Sequence, residues 1–215
     1  MAEKILVVDD SSFIVDGLVA ILKKKGYITI AAHGGDECLE ILKKEIPDII
    51  ILDIMMEPMD GWETLEKVKE NPATCDIPIL MFSAKKITPP EAEAHRINID
   101  DYVAKPVNPK QLLVAIERVI ARKNSLRALS EKARAAGIDT ALIDEYLALR
   151  MSCDVDGNLL RVLRSSTEID QIDMKTREER ENSIALIEAR LKSQEERLHE
   201  LTSTFDPIVG SGTAN

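Results

Sequence analysis

The first half of the chain alternates short apolar runs with stretches whose apolar residues recur at helical spacing. Short apolar runs separated by amphipathic helices indicate βα units and a parallel sheet. The runs predicted to form strands are Ile5–Val8, Tyr27–Ile30, Ile49–Leu52, Ile79–Phe82 and Asp101–Ala104. Helix starts are predicted at Ser11 or Ser12, after Pro89-Pro90 and after Asn108. We therefore predict an α/β fold with a doubly wound, five-stranded parallel sheet and five alternating helices.

From about residue 107 the pattern becomes wholly helical. The fifth helix is predicted to continue to a stop at Gly137, and Leu142 to Met151 form the next one. Ser152 to Asn158 is rich in turn-forming residues, which predicts a break in the helical pattern. A long charged helix is then predicted from about Ile172 to Thr202.

The long charged helix carries an apolar seam. Its members are Ile184, Ile187, Leu191, Leu198 and Leu201. The seam spans about two and a half heptads, fewer than the three or four that identify a coiled coil. It either pairs with a second copy or folds back onto the preceding helices, and the pattern leaves both open. We predict a first domain over 1–123, an all-α region over 124–204 and a flexible tail over 205–215.

The composition limits the classes of protein to which this chain can belong. Hydrophobic residues make up 45% and charged residues 31%, a globular balance that excludes collagen, low-complexity disorder and a disulfide scaffold. The net charge of −10 repels nucleic acid unless basic residues cluster locally. No apolar run approaches the ~18 residues that cross a bilayer, and the chain opens on a strand-like segment instead of a leader. Three widely spaced cysteines are typical of free thiols, so we expect a cytoplasmic protein without membrane contact.

Polar residues stand at the ends of four predicted strands. They are Asp9 and Asp10 after the first, Asp53 after the third, Ser83 after the fourth and Lys105 after the fifth. Parallel strands bring these ends to one edge, where doubly wound sheets bind ligands. Three neighbouring carboxylates cannot all stay ionised without a cation, and oxygen ligands suit Mg²⁺ together with phosphate oxygens. The cluster therefore indicates phosphoryl transfer. The structural alternative is that these acids only cap the N-termini of the helices that follow.

On these residues, the chain up to about residue 123 resembles the receiver domain of two-component response regulators. The resemblance implies a flavodoxin-like receiver fold in which Asp53 accepts a phosphoryl group from a phosphohistidine of a sensor histidine kinase. It implies that Mg²⁺ is bound by Asp10 directly, by Asp9 mainly through water, by Asp53 and by the Met55 carbonyl. Lys105 would pair with the acyl phosphate.

The same resemblance implies a switch beside the site. Ser83 would move toward the phosphoryl group, to which Ala84 would offer its backbone N–H. Tyr102 would then rotate inward, and the surface around the fourth helix and fifth strand would repack.

A few positions depart from the family pattern or vary within it. Glu57 stands where the family usually has proline, which changes the loop shape and adds a carboxylate. Asn98 replaces a usual glycine before the fifth strand. Met55 and Lys85 occupy variable positions that the family uses to tune phosphoryl lifetime. Neither departure removes a chemical group from the site.

The C-terminal region shows no second catalytic constellation. Residues 124–215 hold 12 Lys+Arg and 17 Asp+Glu, and Arg161 with Arg164 is the only basic pair near a candidate recognition helix. We expect a response regulator that signals to a protein target through a helical interaction or homodimerisation region. The alternative is a transcriptional regulator with an unfamiliar DNA-binding region, and a third candidate is a phosphatase with Asp53 as nucleophile. We expect no enzymatic activity beyond Mg²⁺-dependent phosphorylation and dephosphorylation of Asp53 itself.

Overall fold

A computed structural model describes residues 2–84, 91, 94–95, 99–106, 108–165 and 174–209. The chain divides into two compact units, and the division falls inside one helix, between Ile120 and Ala121. Within the described ranges, no helix has the length and apolarity needed to cross a membrane.

The first unit is built on a five-stranded parallel sheet. Its strands are β1 (Lys4–Val8), β2 (Ile28–Ala32), β3 (Ile49–Leu52), β4 (Ile79–Ser83) and β5 (Asp101–Ala104). They lie in the order β2-β1-β3-β4-β5, and every neighbouring pair is parallel. All four residues of the central strand β3 are buried, as in sheets covered on both faces. The predicted doubly wound sheet is confirmed.

The described helices alternate with the strands and then continue beyond them. They are α1 (Ser12–Lys24), α2 (Gly35–Leu42), α3 (Gly61–Glu70), α4 (Pro109–Ala135), α5 (Thr140–Ser165) and α6 (Met174–Val209). The main core of the first unit lies where α1 and the start of α4 cover one sheet face, with Leu22, Ile51 and Ile116 almost fully buried. The helix predicted after Pro89-Pro90 lies largely outside the described residues, as do Lys85 and Asn98.

The second unit is helical, as predicted, and the apolar seam of α6 packs inside it. Ile187, Leu198 and Leu201 are only 2%, 7% and 3% exposed within the single chain. They lie in two apolar clusters that α6 shares with α5, and Ala133 of α4 joins one of them. Of the two interpretations of the seam, the structure shows the one in which the helix folds back.

Polar side chains also join α5 to α6 in the second unit. The guanidinium of Arg190 donates to both carboxylate oxygens of Asp156 at 2.8 Å, and Asp156 is fully buried. Next to it, the Gln194 amide donates to the Ser152 hydroxyl at 2.7 Å. The helix continues through Ser152–Asn158, so the predicted break is wrong. The Ser152 and Asp156 side chains contact α6, and such tertiary contacts outweigh a local preference for turns.

Two helix ends test the sequence predictions. α4 stops where predicted, because Gly137 adopts a positive φ of 76° and lets Ile138 N–H reach the Ala133 carbonyl at 3.1 Å. α6 continues to Val209, past the predicted end at Thr202 and through Pro207. Residues 205–209 of the predicted tail are thus helical, and 210–215 lie outside the described residues.

Candidate functional site

Two carboxylates stand side by side at the carboxyl edge of the sheet. Asp9 follows β1 and Asp53 follows the neighbouring strand β3. The Asp53 N–H donates to the Val8 carbonyl at 2.9 Å, and the Asp9 N–H donates to the Ala32 carbonyl at 3.2 Å. The parallel ladder therefore extends one residue beyond the strands and fixes both backbones.

Lys105 bridges these two carboxylates. Its backbone N–H donates to the Ser83 carbonyl at 2.9 Å, which aligns the end of β5 with the end of β4. Its ammonium lies 2.5 Å from Asp9 Oδ2 and 2.8 Å from Asp53 Oδ2. Asp9 and Asp53 are 2% and 6% exposed, so the ion pairs are shielded from solvent. Charge-assisted contacts of this kind are stronger than those between neutral groups.

Asp9, Asp10 and Asp53 form a group that fits a divalent cation. One carboxylate oxygen from each lies within 4.8 Å of the others, and Asp10 is exposed on the solvent side. Burial raises the pKa of Asp9 above its ordinary value, although the Lys105 ammonium and the Ser11 N–H lower it. Three carboxylates and one ammonium leave a formal charge of −2, which one divalent ion balances. The donors are hard oxygens with water access, as Mg²⁺ requires.

Met55 lies two residues after the central carboxylate. Its backbone N–H donates to Asp53 Oδ1 at 3.3 Å, and its side chain is exposed. The carbonyl contribution of Met55 to a metal site stays a prediction. Glu57, the additional carboxylate of this loop, is exposed.

The predicted switch residues lie next to the site. Ser83 is fully buried at the end of β4, and the exposed Ala84 follows it. The Tyr102 hydroxyl donates to the Ser83 carbonyl at 3.3 Å, and the tyrosine is 8% exposed. In this structure Tyr102 already holds the inward position, in direct contact with the strand that carries Ser83. The structure thus brings all the predicted site residues to one edge of the sheet.

Two residues of this region were missed by the sequence analysis as parts of the site. A Cβ on Gly61, the first residue of α3, would stand 2.0 Å from the Asp53 carbonyl oxygen. The Asp60-Gly61 pair signals a turn, but the sequence does not show which backbone it approaches. The ring of Phe82 lies under the Lys105 ammonium, 5.0 Å from its centroid. Within an apolar strand, nothing in the sequence distinguishes this ring from an ordinary core residue.

An apolar cleft adjoins the site on the side of α1. It has a volume of about 740 Å³, and its lining includes Phe13, Ile14, Phe82 and Pro106 beside Lys105. Phe13, one of the lining residues, is 84% exposed.

Comparisons with known proteins match two separate parts of this chain. Residues 5–117 match the family model of the response regulator receiver domain, and 122–207 match the family described as Metanogen output domain 2. A Guillardia theta protein, "Probable transcriptional regulator ycf27", is 35% identical over 136 residues, which is 63% of this chain and 52% of that protein. This chain thus spans about half the length of that curated relative.

Solved structures of receiver domains are similar to the first unit. A CheY-like receiver domain protein from Methanospirillum hungatei JF-1 is 27% identical, with a TM-score of 0.54, over 58% of this chain and 98% of that one. The N-terminal domain of a response regulator receiver protein from Methanoculleus marisnigri JR1 is 55% identical, with a TM-score of 0.48, over 56% of this chain and 98% of that one.

Proposed function

Because the chain belongs to the response regulator receiver domain family, we propose that it is a response regulator phosphorylated on Asp53 by a sensor histidine kinase. The observation that carries the proposal is the Lys105 ammonium, which touches both Asp9 and Asp53. A lysine largely shielded from solvent at this point neutralises negative charge where a phosphoryl group would add more. A merely structural carboxylate needs no such arrangement at the ligand-binding edge of the sheet.

The proposed reaction transfers a phosphoryl group to a carboxylate. An Asp53 oxygen attacks the phosphorus of a phosphohistidine, the P–O bond forms, and the P–N bond breaks with its electron pair left on the imidazole. Lys105 then pairs with an oxygen of the acyl phosphate. The Ser83 hydroxyl and the Ala84 N–H, at the end of the neighbouring strand β4, would donate to its other oxygens. Positioning and charge stabilisation are nearly all that such a transfer needs from the protein.

The three carboxylates support Mg²⁺ as the cofactor. When bound, the ion would neutralise charge on the phosphoryl oxygens. Asp9 and Asp10 with Asp53 would hold it, since their oxygens already converge and carry excess negative charge. The raised pKa of Asp9 means that its ionised form lacks full compensation in the metal-free fold.

The kinase is proposed to reach Asp53 from the side of the apolar cleft. Phe13 exposes a large apolar surface there, and Lys105 lines the same cleft. A helix of the kinase with apolar residues on one face would cover this surface.

The second unit is proposed to carry the output through protein contacts. The match of residues 122–207 to a family of output domains supports this role. The apolar seam of α6 is occupied inside the chain, so a partner or a second copy would bind other surfaces of the unit. Transcriptional regulation is the second candidate, because the Guillardia theta relative bears that name.

The first experiment measures phosphorylation directly. The chain is incubated with Mg²⁺ and a small acyl phosphate donor such as acetyl phosphate, and intact mass is recorded. We expect one added phosphoryl group in the wild type, none in Asp53→Asn and none with a chelator. Asp36→Asn, an exposed aspartate at the start of α2, is the matched control and should react normally. Equal labelling of Asp53→Asn would refute the proposal.

The second experiment separates the outputs. Light scattering with Mg²⁺ and beryllofluoride, a mimic of the acyl phosphate, is compared with Asp53→Asn. A change of mass that needs Asp53 supports self-association as the output, whereas an unchanged monomer favours a different partner protein. Salt-dependent retention on DNA would support the transcriptional alternative. We further propose single-site chemistry, which sustained hydrolysis of phosphate esters by the intact site would contradict.

A further inference from the structure

Phe82 provides a surface on which the Lys105 ammonium rests. The ammonium nitrogen lies 5.0 Å from the centroid of the ring, within the range of a cation–π interaction. Phe82 is the fourth residue of β4 and is 5% exposed in the main core of the first unit. Core packing therefore fixes the ring, and the flexible lysine side chain settles against it.

Among the described residues, the Lys105 ammonium has three neighbours of two kinds. Two are the carboxylates of Asp9 and Asp53, at 2.5 and 2.8 Å. The third is the electron-rich face of Phe82. Phosphorylation would convert the Asp53 carboxylate into an acyl phosphate and change its contact with the lysine, whereas the ring would keep its shape and charge distribution throughout.

An aromatic residue is not needed here for packing alone. The other buried members of the core cluster that contains Phe82 are aliphatic, among them Leu80 of the same strand and Ile51 of the neighbouring strand β3. An aliphatic side chain would satisfy the same need for apolar burial, but it would offer the ammonium no negative surface.

We propose that Phe82 is a positioning residue for Lys105. The ring holds the Lys105 ammonium where it can contact an acyl phosphate on Asp53. The inference rests on the proposed function and adds to it a residue that acts through the lysine. The attraction of an ammonium to an aromatic face corresponds to about a three- to tenfold effect on the binding of a group that the lysine contacts.

The test follows the binding of Mg²⁺ and beryllofluoride by fluorescence of Trp62. This residue is the sole tryptophan of the chain, and it is adjacent to Gly61, which packs on the Asp53 backbone. Phe82→Leu keeps an apolar side chain and should weaken binding about three- to tenfold. Trifluorophenylalanine at position 82 keeps the shape but weakens the negative face, and it should reproduce most of that loss.

A double-mutant cycle separates positioning from packing. In a Lys105→Met background, Phe82→Leu should change the affinity for beryllofluoride by less than about twofold, because the ring then has no cation to hold. An equal loss with and without the lysine would overturn the inference and assign the ring to packing.

An NMR measurement without ligand tests whether the Lys105 side chain lies over the Phe82 ring. The ring current of Phe82 should shift the ε-protons of Lys105 upfield in the NMR spectrum, and Phe82→Leu should abolish that shift. An ordinary shift in the wild type would overturn the inference whatever the site does. No beryllofluoride response in the wild type would refute the proposed function and the role of Phe82 together. A wild-type response that Phe82→Leu leaves unchanged would refute the role of Phe82 alone.

Discussion

Gly61→Ala should distort the phosphoacceptor site through the backbone. A Cβ at this position would stand 2.0 Å from the carbonyl oxygen of Asp53, 2.8 Å from its carbonyl carbon and 2.7 Å from Cα of Ile54. All three are backbone atoms, so no side-chain rotation relieves the clash. The Gly61 N–H also donates to the Ile54 carbonyl at 2.9 Å, which ties the start of α3 to the same segment.

The magnitude follows from the distance. Contacts of real Cβ atoms are essentially never shorter than 3.0 Å, so Asp53 and the start of α3 must separate by about 1 Å. Overpacking of this kind costs about 1–3 kcal/mol of unfolding free energy. A displacement of about 1 Å at reacting groups lowers rates by about 10²-fold. Gly61→Ala should therefore lose both stability and most of its phosphorylation rate.

The assay combines urea denaturation with the rate of phosphorylation by acetyl phosphate, followed by intact mass. Gly17→Ala is the matched control, because Gly17 lies inside α1 and a Cβ there meets nothing within 4 Å. It should keep its rate and gain about 0.5–1 kcal/mol, since alanine is favoured over glycine in a helix. If Gly61→Ala matched the wild type in both measurements, the argument from close approach would be wrong.

Two further predictions concern buried charges. Asp9→Asn should raise the unfolding free energy of the metal-free protein at pH 7, because burial raises the pKa of Asp9. A raised folded-state pKa contributes stability below the ordinary value of 3.8, and this is lost as pH rises through the folded pKa. Urea denaturation against pH should show that loss in the wild type and not in the variant; a less stable variant at pH 7 would refute it. Asp156→Ala removes both hydrogen bonds from Arg190 and should cost about 3–5 kcal/mol, whereas Arg164→Ala, which breaks an exposed pair, should cost less than about 1 kcal/mol. Equal costs in urea denaturation would contradict the assignment of a buried pair.

The helical region shows where local patterns mislead. Asp156 and Gly157 favour turns by themselves, yet they lie inside α5 because the carboxylate pairs with Arg190, 34 residues away. The spacing of the apolar residues in α6 likewise predicts correctly that one face is buried, but it does not identify the helix against which that face packs. The hydrophobic effect is non-directional, so an apolar face can be buried against any other apolar face. Only the folded structure shows that the seam packs against α5 of the same chain.

The sequence by itself determined the sheet and the residues of its carboxyl edge. Alternation of buried runs with helices leaves few ways to arrange parallel strands, and it necessarily brings Asp9, Asp53 and Lys105 together. The tertiary structure alone decided that Gly61 touches the Asp53 backbone and that Phe82 lies beneath the lysine. Each contact joins residues in, or directly after, different secondary-structure elements at a distance of a few ångströms. Periodicity predicts which face of an element a residue occupies but not which residue it contacts there.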